Sequence, residues 1–94
     1  MKNNRDLFKS KRMLKAMSIG YLLDEKGDDY GNCLDILYKE YGMTFFIIML
    51  HNKFERLKNL TKKGDPNFES IDDTLKDIAG YAILALLERD KNKD

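Results

Sequence analysis

Read for the period of its apolar positions, the chain is four helical stretches joined by short turns, with no convincing strand alternation. The first stretch spans roughly residues 5–23, with Leu7, Leu14, Met17 and Tyr21 on one side. Gly20 weakens it by ~1 kcal/mol relative to alanine. The turn-rich segment 24–31 is expected to end it. Asn32 then offers an N-cap for a short second helix, with Asp35 placed to favour the positive end of that helix, and Gly42 suits a left-handed C-terminal cap. A third helix is predicted over 43–62. Met43, Phe46, Ile47, Leu50, Phe54 and Leu57 form its stripe, and Phe45, Ile48 and Met49 make its first half apolar nearly all round. The loop 62–67 follows, and the fourth helix starts at Asp65-Pro66 or at Ser70 and runs to about Glu88. Residues 1–4 and 89–94 are expected to fray.

The fourth helix carries two faces. At about 100° per residue, Ile71, Leu75, Ile78, Ala82 and Leu86 form an apolar stripe, while Asp73, Asp77, Gly80, Leu84 and Leu87 line up on the other side. That second face is carboxylate at its start and apolar at its end. A helix that buries both sides belongs inside a bundle or a subunit interface, which sets the two carboxylates beside a cleft. The expected fold is therefore all-α, a single domain over residues 1–94. It is a compact bundle of about four helices, completed by homo-oligomerisation.

Composition narrows this further. Ninety-four residues with no tryptophan supply one modest core, a shortage that association commonly relieves. Lysine and arginine total 17 against 16 acids, but residues 1–16 hold six basic residues and only Asp6, leaving 11 basic and 15 acidic residues for the rest. A global nucleic-acid binder is not expected from that balance. The basic N-terminal helix reads as a solvated face that could still meet phosphates or lipid. Cys33 is the single cysteine, which fits a reduced, cytoplasmic setting. No apolar run follows the charged start as in a signal peptide, and the apolar run at residues 45–50 is far too short for a membrane span.

Three groups of residues can carry chemistry. Asp73 and Asp77, four apart, project from one face and can accept hydrogen bonds or share a hard divalent cation, with Glu69 one turn earlier as a third oxygen donor. Ser70-x-x-Asp73 also fits a variant of the capping box, which accounts for Asp73 but not for Asp77. Lys53 and Arg56, three apart on the third helix, can converge on a phosphate, Arg56 as a planar fork and Lys53 as a compact charge. Their alternative is to snorkel over the core edge and pair with acids of the fourth helix. Asp28-Asp29-Tyr30-Gly31-Asn32 can present carboxylates and a stacking ring to a nucleoside, or serve as ordinary turn chemistry. His51 has no paired histidine or cysteine nearby and is not expected to bind metal.

At these residues the chain resembles a phage-associated family, the nucleotide modification associated domain. The shared blocks are Asp29-Tyr30-Gly31-Asn32, Lys53-Phe54-Glu55-Arg56-Leu57, and residues 69–82, and the resemblance covers roughly residues 24–88. The last block is similar, more distantly, to a helix of all-α nucleotide pyrophosphohydrolases of the MazG type, which hold Mg²⁺ on Glu-Glu-x-x-Glu and Glu-x-x-Asp helices. Glu69-x-x-Asp72 matches the second element in letters, but Glu-Glu-x-x-Glu is absent, and Asn52 stands beside Lys53 where an acid is expected.

The resemblance implies nucleotide metabolism, and the missing carboxylates favour binding over hydrolysis. The expected protein binds a nucleotide or nucleotide-derived signal without cofactor or turnover, as a sponge against host defence in the cytoplasm of an infected bacterium. Lys53 and Arg56 hold phosphate, Tyr30 or Tyr81 stacks a base, and Asp29, Asp73 and Asp77 accept hydrogen bonds. One rival is a Mg²⁺-dependent pyrophosphohydrolase using Glu69, Asp73 and Asp77; another is a helical module that docks a protein. Neither a membrane nor nucleic acid is an expected partner. The surplus of apolar surface predicts self-association. Light scattering at micromolar concentration should return a mass well above the 11.0 kDa of one chain, and a value at that mass would remove the expected subunit interface.

Overall fold

The computed structural model describes residues 10–62 and 68–93, and of residues 28–30, 68 and 69 it describes the backbone alone. Among the described residues there are four helices and no strand, as the apolar period predicts: α1 (Lys11–Tyr30), α2 (Cys33–Tyr41), α3 (Met43–Lys62) and α4 (Phe68–Lys91). The chain forms two units that divide after Gly31.

The first unit is α1. Ser10 caps it, its hydroxyl accepting the Met13 N–H at 3.3 Å, and residues 1–9, where an earlier start was expected, lie outside the described residues. The helix does not end at Leu23. Residues 24–30 continue it, because Glu25 and Lys26 propagate a helix well and Asp24 and Gly27 only weaken it. The stop is Gly31, whose φ of 57° carries the chain into the left-handed region while its N–H bonds the Gly27 carbonyl at 3.2 Å. Leu14, Met17 and Tyr21, the predicted apolar side, are exposed.

The second unit holds α2, α3 and α4. Asn32 occupies the N-cap position of α2 without a side-chain capping bond, and Gly42, at φ 63°, closes the helix with its N–H on the Tyr38 carbonyl at 2.7 Å. The bounds of α3 agree with the sequence reading. On α4 the helix begins at Phe68, two residues before Ser70, so Ser70 is not its N-cap; the Ser70 carbonyl accepts the Thr74 hydroxyl at 2.7 Å. Asp65 and Pro66 lie outside the described residues. The C-terminal end runs on to Lys91 instead of fraying after Glu88, with the Asn92 side-chain amide donating to the Glu88 carbonyl at 2.7 Å.

Helices α3 and α4 form an antiparallel pair. Burial along α3 recurs at Phe46, Leu50, Lys53, Leu57 and Leu60, and along α4 at Thr74, Asp77, Tyr81, Leu84 and Glu88. These are alternating steps of three and four, the seam of a left-handed coiled pair. Although Gly80 on the acid-bearing face is buried and Ile71 and Ile78 are half-buried, the most buried side of α4 is therefore not the apolar stripe. It lies roughly 60° from the acid-bearing face and 120° from the stripe through Leu75 and Leu86, both of which are exposed. On α3, Phe46 is fully buried, whereas Ile47 and Phe54 stay more than half exposed and Lys53 takes the seam position. Because the helices are antiparallel, Ile47 and Phe54 share one flank of the pair with Ile71, Ile78 and Leu75.

The short α2 closes the opposite end of the pair from the α3–α4 loop. Its Tyr38 ring lies 5.9 Å from that of Phe46, which also meets Phe45 edge-on at 5.0 Å. Lys91 ties the ends together, donating to Asp35 of α2 at 2.8 Å and to Glu88 at 3.4 Å. Burial, reinforced by the hydrogen bond with Asp35, pushes the Glu88 carboxyl above the usual carboxylate range. Hydrogen bonds from Glu88 and Lys91 hold Asp35 below its usual range.

Two outcomes follow for stability. Phe46→Ala should cost about 3–5 kcal/mol, as for a fully buried aromatic ring, while Phe54→Ala should cost much less; urea melts followed by circular dichroism compare them. Glu88 binds its proton more tightly folded than unfolded, so its contribution to stability falls as pH rises from its ordinary 4.5 through the raised value. The opposing contribution of Asp35 is lost only as pH falls below its ordinary 3.8. Glu88→Gln should therefore gain melting temperature relative to wild type between pH 4.5 and 7, and an unchanged difference across that range would place Glu88 in a water-like setting.

Candidate functional site

The loop-proximal half of the α3–α4 pair opens into a groove of about 540 Å³ on the flank away from Ile47 and Phe54. Its α3 wall is Asn52, Arg56 and Asn59, which recur at steps of four and three and so share one side of the helix. Asp73 projects from the matching side of α4. Lys53, Leu60, Thr74 and Asp77 form the floor, because these are the seam positions.

One charged contact crosses that floor. Lys53 Nζ lies 3.1 Å from an Asp77 carboxylate oxygen, with the two side chains 23% and 30% exposed. The lysine stem fills its seam position as an apolar residue would, and only the ammonium requires a partner. Such a half-covered pair is screened less than a surface pair. Asp77, which capping cannot explain, thus sits where α3 presents a cation. Among the described residues neither Arg56 nor Asp73 has an ion-pair partner, and both are exposed. Glu55 stands at the rim, where Lys58 at 3.3 Å offsets its charge and His51 Nε2 lies 3.6 Å away.

Four of the sequence candidates, Lys53, Arg56, Asp73 and Asp77, therefore meet in one groove. Tyr81 is half-buried in the seam one turn beyond Asp77 and does not line the groove. Asp29 and Tyr30 belong to the last turn of α1, in the other unit, and their side chains lie outside the described residues, as does that of Glu69. Among the described residues no three acids, histidines or cysteines gather as metal ligands. Asn52, Asn59 and Thr74 were absent from the candidates. Asn52 and Asn59 were detectable in principle, since they flank Arg56 at helical spacing, whereas Thr74 needed the true buried side of α4.

The groove can act at two poles. The α3 wall offers a guanidinium and two amides, and the α4 wall offers carboxylates that accept hydrogen bonds. No helix of the described residues is long and apolar enough to cross a membrane. No curated protein and no solved structure matches the chain, and the likeness to MazG-type enzymes gains no support. A family model does match, over residues 26–88, from the end of α1 through the buried Glu88 and with the whole groove inside it: the chain belongs to the family of nucleotide modification associated domain 1.

Proposed function

We propose that the α3–α4 groove binds a nucleotide or a nucleotide-derived small molecule without turning it over. The observation that carries this reading is the meeting of Lys53 and Arg56 with Asp73 and Asp77 in one groove, inside a domain whose family name refers to nucleotide modification. Arg56 takes the phosphoryl group as a bidentate donor, with Lys53 beside it. Asp73 and Asp77 accept from sugar hydroxyls or an amino group of the base, and Asn52 and Asn59 add amide donors and acceptors.

Binding is favoured over hydrolysis by the position of Lys53. Its ammonium already holds the Asp77 carboxylate at 3.1 Å, so a divalent ion at Asp77 would have to displace a neighbouring positive charge. A protein that holds a nucleotide signal without consuming it acts as a sponge. In a phage-encoded protein in the host cytoplasm, that would blunt a defence response. Self-association belongs to the same reading, because a second copy placed over Ile47, Phe54 and Leu75 would cover exposed apolar surface and leave the groove open.

Arg56→Ala tests the reading directly. Arg56 is exposed and outside the seam, so thermal melts should stay near wild type. Loss of a charge-assisted phosphate bond should cost ~1.5–3 kcal/mol of affinity by titration calorimetry. A panel of nucleotides at 100 times their dissociation constant should stabilise the wild-type chain by ~2.7 kcal/mol, several degrees of melting temperature. Equal binding by variant and wild type would return Arg56 to an ordinary solvated face, and Mg²⁺-dependent release of pyrophosphate would replace binding by hydrolysis.

A further inference from the structure

Resting on that reading, we infer that the groove selects nucleotides carrying a single phosphoryl group, linear or cyclic, and discriminates against metal-free di- and triphosphates. Two cations, Lys53 and Arg56, and three carboxylates, Glu55, Asp73 and Asp77, line the groove, and one of each, Lys53 and Asp77, is joined at 3.1 Å across its floor. This leaves Arg56 on the α3 wall as the cation with no ion-pair partner among the described residues, and Asp73 on the α4 wall as the matching carboxylate. Glu55 at the rim is offset by Lys58 and adds no positive charge.

A guanidinium presents one fork and satisfies one phosphoryl group. A second or third phosphate must lie near Asp73 and Asp77, or reach Lys53 by breaking its pair with Asp77. Breaking that pair leaves a half-covered carboxylate beside the incoming anion, and like charges within a Debye length repel. A ligand with one phosphate and a hydroxyl- or amine-bearing end avoids both costs. Its anion meets Arg56, its donors meet Asp73, and the Lys53–Asp77 pair stays intact beneath it. The groove is bipolar across the two helices, and such a ligand is bipolar in the same sense.

Titration calorimetry of the full chain in EDTA, with the deoxynucleoside 5′-mono-, di- and triphosphates of each base, reads this selection. For the base that binds best, each added phosphate should weaken affinity by about fivefold at low salt, and less at high salt. Asp73→Asn keeps the shape of an exposed side chain and removes its charge, so melts should match wild type. In that variant the monophosphate should lose affinity while the triphosphate gains, shrinking the mono-to-triphosphate ratio at least about fivefold. Affinity that rises with phosphate number in EDTA, or a ratio untouched by Asp73→Asn, would overturn the selection while leaving nucleotide binding in place. If no nucleotide binds the wild-type chain, the nucleotide reading falls, and the selection with it.

Discussion

The seam between α3 and α4 is the constraint on which the second unit depends. Its alternating three- and four-residue steps decide which side chains are covered, and every later feature sits on one flank or at one end of it. The groove lies on one flank near the loop. The exposed side chains of Ile47, Phe54 and Leu75 lie on the other flank, and α2 is fastened at the far end through Tyr38 against Phe46 and Lys91 against Asp35. A fully buried ring at Phe46 anchors the apolar end of the seam, and polar residues occupy much of the remainder.

Those polar residues explain why sequence reading reached the elements before it reached their orientation. The bounds of α3 were legible because Gly42 and the change to polar residues after Leu60 mark its ends. The end of α1 was misplaced because Gly27 and its acidic neighbours look like a turn, although only Gly31 adopts a conformation that halts a helix. The face of α4 was misassigned for a related reason. Summing hydrophobicity selects Ile71, Leu75, Ile78, Ala82 and Leu86, but the buried side instead holds Thr74, Asp77 and Glu88, each with a polar partner that apolarity alone does not count.

The candidate site was more legible than the core for the same physical reason. Charged residues at helical spacing share a side whichever face is buried, so Asp73 with Asp77 and Lys53 with Arg56 could be paired along the chain. Their convergence across two helices was read as one alternative, Lys53 and Arg56 pairing with acids of the fourth helix; that the pair is Lys53 with Asp77 could not be read, because it depends on which turn of α3 opposes which turn of α4. The Glu88 cluster shows the converse. Its carboxyl is buried and its proton held more tightly than usual, yet it serves to fasten a helix end and stands well away from the groove.

The Lys53–Asp77 pair has one more consequence, for the alignment of the two helices. A seam built on a seven-residue period tolerates sliding by seven residues, since apolar positions then meet apolar positions again. Sliding one way would set Lys53 against Leu84 and Asp77 against Leu60; sliding the other way would set Asp77 against Phe46. Each shift breaks the Lys53–Asp77 contact and sets the Asp77 carboxylate against an apolar side chain, which disfavours it. The pair therefore acts as a register pin. The same two residues that help form the floor of the groove also disfavour the misaligned hairpins in which Arg56 and Asp73 would no longer face each other.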